Sequence, residues 1–191
     1  IGPYVDLSGA DLSGISLNNK FLKGVTLVHA NLHNVTFINT IGGPLYINDD
    51  LELPPSYYII TNENNQKYII GPYMHLKDYD LRGVDLNGID LTGVIYNNTI
   101  GGPLKLNSGN PIVSEGYTTH IDFDSNLFLF GLNIIVNYVN FTNFQMTVLN
   151  IENKIFANTI LIGADFTGMN LSGFDFSDSN LSNVILINTK T

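Results

Sequence analysis

Residues 5–19 read VDLSG ADLSG ISLNN, and in them an apolar side chain falls at every fifth position, Leu7, Leu12 and Leu17. The step continues through Leu22, Leu27, Leu32 and Phe37. It returns at Leu76, Leu81, Leu86, Leu91 and Tyr96, and again at Val136, Phe141, Met146, Ile151, Phe156, Leu161, Phe166, Leu171, Phe176, Leu181 and Leu186. A period of five suits neither an α-helix, which repeats every 3.6 residues, nor a half-buried strand, which repeats every 2. Something must therefore redirect the chain within each unit. Two residues after the centre, the 23 units carry Gly nine times, Asn nine times and Asp twice, with only His29, Tyr138 and Val148 departing. These residues tolerate positive φ or close turns. Each unit thus reads as a short extended step followed by a turn. The residue two before each centre is mostly small or apolar, as at Val5, Ala10, Val25, Ala30 and Ala164, and the one just before it is usually Asp or Asn. Two side chains per unit are predicted to point inward.

Ala10-Asp11-Leu12-Ser13-Gly14 and Ala164-Asp165-Phe166-Thr167-Gly168, with Ala30-Asn31-Leu32 matching the core alone, resemble the motif of the pentapeptide-repeat family. The resemblance covers 115 of 191 residues. It implies an all-β fold, a right-handed quadrilateral β-helix with four units per coil, so that residues 20 apart stack. In the third block the predicted columns are Val136/Phe156/Phe176, Phe141/Leu161/Leu181 and Met146/Phe166/Leu186. Each buried centre contributes about 1.5–3 kcal/mol. Lys20 and Lys154 occupy inward sites, each after an Asn, and a local bulge is predicted at both.

Hairpin insertions interrupt the solenoid. A single domain, 1–191, is expected, with repeat blocks 5–40, 74–98 and 134–188 and inserted segments 41–73 and 99–133. The interruptions themselves recur. Ile1-Gly2-Pro3-Tyr4 returns as Ile70-Gly71-Pro72-Tyr73, and Asn39-Thr40-Ile41-Gly42-Gly43-Pro44-Leu45 as Asn98-Thr99-Ile100-Gly101-Gly102-Pro103-Leu104. Tyr57-Tyr58-Ile59-Ile60 and Lys67-Tyr68-Ile69-Ile70 flank the polar Asn62–Gln66 and read as a hairpin entered at Pro54-Pro55. Ser114–Tyr117 and His120–Asp124 read as a degenerate copy. Opening at Ile1 inside such a unit, the sequence reads as a processed or partial chain. Nothing after Leu186 reads as a cap, so that end is expected to be covered by another chain or a second copy.

Composition narrows the function. The net charge is −9, from 8 Lys+Arg against 17 Asp+Glu, and the pI is near 4.5. Such a surface repels nucleic acid and anionic membranes, so neither is expected as a direct partner. Apolar runs of three or four residues fall far short of the roughly 20 that span a bilayer. With no Cys there is no disulfide, thiolate ligand or cysteine nucleophile.

No catalytic, cofactor or metal constellation emerges, and an enzyme is not expected. His29 and His33 are four apart, which pairs ligands on a helix, but on a five-residue step the two need not share a face, and they read as a solvated pair. Asp122-Phe123-Asp124-Ser125-Asn126 mimics the opening of a calcium loop, yet its sixth residue is Leu127 and its twelfth Asn133. Asp49, Asp50 and Glu52 read as a solvated loop. Neither Gly-Gly-Pro is followed by the Lys and helix of a phosphate cradle. Asn-X-Ser/Thr sequences such as Asn34-Val35-Thr36 follow from the repeat motif itself.

The principal expectation is a non-enzymatic scaffold that contacts other protein chains through coil ends or hairpins, as a homo-oligomer or within a larger assembly. Arrays introduced by a Pro-Pro, Tyr-rich hairpin and an Ile-Gly-Pro step resemble those of large DNA viruses and phages. That resemblance, with heavy use of Asn, Ile and Tyr, favours a virion location and a capsid-associated or cementing role. One alternative is a DNA mimic acting on gyrase or topoisomerase. Here 23 units make a stack near 28 Å at roughly 4.8 Å per coil, and duplex of that length carries about 16 charges. A second alternative is a carbohydrate-binding or adhesive module using Tyr57, Tyr58, Tyr68 and Tyr73.

Overall fold

The computed structural model describes residues 1–105, 110–131, 134–135, 140–146, 156 and 159–191. The five-residue step is a β-turn. In most described units the N–H three residues after the centre donates to the centre's carbonyl, as in Ala10 to Leu7 (3.0 Å), Ile15 to Leu12 (3.1 Å) and Val25 to Leu22 (3.0 Å). Wherever the residue two after a centre is described it has positive φ, from Gly9 at 67° to Asn188 at 55°, and His29, at 56°, does the same. Where an Asp or Asn precedes a described centre, it closes the turn from outside. Its Oδ1 accepts the N–H of the residue after the centre, as Asp11 accepts from Ser13 (3.1 Å) and Asp165 from Thr167 (2.8 Å). Short polar side chains that bond locally to backbone favour such turns.

Two compact units result. The first comprises Ile1–Asp78, Gly83–Asn97 and Asn107–Ser114. Its rungs pair in parallel with residues 20 apart, Asp6 with Thr26, Asp11 with Asn31, Ser16 with Thr36, Phe21 with Ile41 and Thr26 with Tyr46. Twenty residues are four five-residue steps, so the chain forms a β-helix. Buried centres Leu12, Leu17, Leu22, Leu27, Leu32 and Phe37 fill its core together with Val25, Ala30 and Val35. Leu7 in the first coil is half-buried. The hairpin β1 (Tyr58–Thr61) and β2 (Lys67–Ile70) then intervenes, pairing antiparallel from Tyr58↔Ile70 to Thr61↔Lys67. The ladder resumes when His75 N–H donates to Thr40 C=O (3.0 Å), so the rung offset jumps from 20 to 35. It returns to 20 where β3 (His75–Lys77) pairs with β5 (Ile95–Asn97). Between them in sequence lies β4 (Asp90–Leu91), which pairs in parallel with β7 (Ile112–Val113). Leu76, Leu86, Leu91 and Tyr96 are buried.

The Ile-Gly-Pro-Tyr segments are units of the same step. Gly2 and Gly71 stand five residues before Leu7 and Leu76, and Tyr4 (φ 61°) and Tyr73 (φ 60°) take the turn position. Glycine replaces the apolar centre at Gly71 because the hairpin fills the space. A Cβ there would lie 2.5 Å from Tyr57 Cδ1 and 2.8 Å from Ser56 O.

The second unit comprises Tyr79–Arg82, Asn98–Leu106 and Glu115–Thr191. Leu81 is buried in it, and Asp80 pairs with Ile100 at the 20-residue offset. Then β6 (Thr99–Ile100) pairs in parallel with β10 (Ile134–Ile135) at an offset of 35, as in the first unit. The insertion is again a hairpin, β8 (Thr118–Ile121) with β9 (Leu127–Phe130). It extends the degenerate copy read from sequence by a second, fully buried strand. Beyond it Asn140, Ile160 and Asn180 form one column of rungs and Gln145, Asp165 and Ile185 another. Phe141, Met146, Phe156, Leu161, Phe166 and Leu171 are buried. Phe156 and Phe176 stack with centroids 5.7 Å apart and planes at 13°, and Phe176 is half-buried. In the last described coil Leu181 and Leu186 are exposed, at 39% and 49%. Val136, Ile151 and Lys154 lie outside the described residues.

Lys20 corrects one expectation. Its N–H donates to Leu17 C=O (3.2 Å) and its C=O accepts from Ile41 N–H (3.0 Å), as in every regular unit, and Asn19 holds φ 58°. No bulge forms, because the side chain of Lys20 is exposed.

Candidate functional site

The four tyrosines singled out from sequence do not form one surface. Tyr68 is 2% exposed, its ring seated against Gly43, where a Cβ would come within 2.9 Å of Cδ1. Its hydroxyl donates to Gln66 Oε1 (3.1 Å). Tyr68 therefore serves packing and is corrected as a contact residue. Tyr57 is half-buried against Phe37, centroids 5.0 Å apart, and burial pushes its phenol above the usual value. Tyr58 and Tyr73 are on the surface, Tyr73 with its ring edge against Gly93. Among the described residues the most exposed tyrosines are two that sequence reasoning passed over, Tyr4 and Tyr46.

Each hairpin tip is tied by one side chain. In the first, Asn62 Oδ1 accepts the N–H groups of Asn64 (3.0 Å) and Gln66 (2.9 Å), and Nδ2 donates to Gln66 Oε1 (2.9 Å). In the second, Asp122 Oδ1 accepts from Asp124 (3.0 Å) and Asn126 (2.8 Å), while Oδ2 accepts Asn140 N–H (3.1 Å). The calcium-like run is therefore a turn whose first carboxylate is spent on backbone donors. Sixty residues separate Asn62 from Asp122, a correspondence hidden by the change from amide to acid.

His29 and His33 lie on one cleft, of about 370 Å³, which they line with Asn48, Asp50 and Glu52. Asn48 organises it, accepting His29 N–H (2.9 Å) and donating to Asp50. Hydrogen bonds from Asn48 and backbone, with the nearby His29, hold the Asp50 carboxyl below its ordinary range. Asp49 pairs instead with Lys67. Among the described residues no group of three His, Asp or Glu could hold a metal ion. No helix among them is long and apolar enough to cross a membrane.

The turns carry the remaining charge pattern. Asp6, Asp11, Asp165 and Asp175 lie below their ordinary 3.8, first because of side-chain hydrogen bonds from Ser8, Ser13, Thr167 and Ser177 and then because of the same residues' N–H groups. Desolvation lowers His75 and His120. Every one of these shifts traces to a turn, a rung or a packed ring, so the chemistry on display is structural.

Five-residue turns, 20-residue rungs and a core of stacked centres define an interrupted β-helical repeat protein. Residues 6–41 and 156–190 match the model for pentapeptide repeats, in 8 copies. Those two segments therefore carry pentapeptide repeats, whose family is generally structural or interaction-forming. No curated protein and no solved structure matches it.

Proposed function

We propose that this chain is a non-enzymatic scaffold that joins other protein chains into a larger assembly by extending its β-ladder. The observation that carries this is the rung of residues 180–190. Asn180, Ile185 and Lys190 donate inward to Thr159, Ala164 and Met169 (each 2.9 Å), so their inner edge is paired. On the same coil Leu181, Ile185, Leu186 and Ile187 are 39–61% exposed. A further rung laid there would bury this apolar row and take up the strand edge. A following coil of a longer chain would bury the same row, and this reading assigns the rung to a partner protein or a second copy. The net charge of −9 supports protein partners over nucleic acid or anionic membrane. Among assemblies we favour a virion, in a capsid-associated or cementing role, on the resemblance of the Pro54-Pro55 hairpin and Ile-Gly-Pro steps to viral arrays.

Native mass measurement on the protein as isolated from its source, with whatever accompanies it, tests the proposal. A defined assembly that falls apart when Leu186 is replaced by Lys is the expected result. A free monomer under those conditions, and at high concentration, overturns it.

A further inference from the structure

We propose that the cleft lined by Tyr4 and Tyr46 binds a pyranose sugar. The cleft is about 460 Å³, and Lys23, Pro44, Asn65 and Gln66 complete its character. That volume lies within the 300–1,000 Å³ typical of small-molecule sites, which combine apolar walls with a few placed polar groups.

Both rings are presented outward on a fixed backbone. Tyr4 is 71% and Tyr46 66% exposed. The ring edge of Tyr4 rests on Gly24, where a side chain would come within 2.3 Å of Cδ1. Tyr46 is pinned in a rung, its N–H donating to Val25 C=O (2.9 Å) and its C=O accepting from Leu27 N–H (2.8 Å). Rigid aromatic platforms lose little conformational entropy when a ligand stacks on them.

The polar groups are placed as well. Gln66 Oε1 accepts from Asn62 Nδ2 (2.9 Å) and from the Tyr68 hydroxyl (3.1 Å), which fixes the amide plane. Lys67 is engaged by Asp49, leaving Lys23 as the cation of the site, and no carboxylate lines the cleft. Apolar sugar faces stack on aromatic rings, and sugar hydroxyls pair with planar amides and phenols. A peptide strand is less suited, because the local backbone edges are taken: Tyr46 pairs with Thr26 and Leu45 with Lys67. Lys23 selects for a sugar that bears a carboxylate.

Titration of the full chain with glucuronate, glucose and galactose, followed by heteronuclear NMR, tests this independently of the assembly reading. Saturable binding is expected, tightest for glucuronate. Tyr4→Ala and Tyr46→Ala should each weaken it at least about 10-fold without changing the melting temperature, since both rings are mostly exposed. Lys23→Gln should remove the preference for glucuronate and leave glucose binding in place. Tyr73→Ala, which removes a ring seated in the same way on Gly93, should change nothing. No saturation by any of the three up to about 100 mM, or binding indifferent to both Tyr4→Ala and Tyr46→Ala, overturns the proposal.

Discussion

Gly101 stands five residues after the centre Tyr96, in the register of an apolar core residue, and its replacement by alanine tests why glycine is there. A Cβ at this position would lie 2.3 Å from the carbonyl oxygen of Leu129 and 2.6 Å from Ile134 Cγ2. Ordinary contact begins near 3.4 Å, so β9 must retreat by about 1 Å. Leu129 and Ile134 are fully buried and have no free space to enter. Retreat also stretches two rungs, Leu129 N–H to Gly101 C=O (2.8 Å) and Gly101 N–H to Ile135 C=O (3.0 Å). Overpacking costs about 1–3 kcal/mol and each weakened hydrogen bond up to about 1 kcal/mol. The expected loss is about 3 kcal/mol, or roughly 6–12 °C in Tm for a chain of this size. Urea unfolding followed by tyrosine fluorescence measures it. Two controls separate the causes. Gly2→Ala meets nothing within 4 Å at an ordinary φ and should be neutral within about 0.5 kcal/mol. Gly168→Ala also meets nothing, but at φ +75°, and should show only the left-handed penalty of about 1 kcal/mol. If Gly101→Ala is no worse than Gly168→Ala, the hairpin strand does not occupy the missing side chain's place.

Further expectations follow from the turns and the buried polar groups. His29→Gly should stabilise by about 0.5 kcal/mol in thermal melts, because His29 holds φ 56° where glycine is unstrained; a loss would contradict that. Thr40→Val should cost about 1 kcal/mol, since the fully buried Oγ1 donates to Leu17 C=O at 2.7 Å, and an unchanged urea midpoint would show that this bond contributes nothing. Asp6, Asp11, Asp165 and Asp175 titrate lower in the folded than in the unfolded chain, so their contribution is present above pH 3.8 and is lost as pH falls through the folded values. Changing all four to Asn should flatten the decline in stability measured from pH 5 downward. His75 and His120 are likewise lowered, from 6.5, so the unfolded chain binds protons first and stability should fall as pH drops below about 6.5. His120→Phe, beside Phe144 at 4.6 Å, should reduce that slope, and an unchanged slope would place His120 in water.

Much of the fold was legible because its cause is local. A five-residue turn needs a residue at positive φ and an outer Asp or Asn, and both recur in the residues themselves. Even His29, an exception by residue type, obeys the geometry its neighbours impose. What escaped reading has causes far along the chain. Lys20 occupies an inward register, yet its long side chain reaches water without disturbing the rung. Tyr68 looked like a surface aromatic of a hairpin, but Gly43 opens a seat for its ring. Phe128 meets Gly102 in the same way, 3.0 Å from where a Cβ would stand. His29 and His33 share a cleft only because Asn48–Glu52 folds back beside them.

The sequence by itself determined the step and the existence of two related interruptions, since hydrogen bonds within five residues and apolar centres at a fixed interval set the step; the 20-residue stacking was implied by the resemblance to pentapeptide repeats. Only the tertiary structure decided where glycine must replace a core side chain, which tyrosines reach the surface and which polar groups gather in a cleft. Those outcomes depend on the volume that a distant hairpin strand occupies, and steric exclusion between segments many residues apart leaves no periodic mark on the chain.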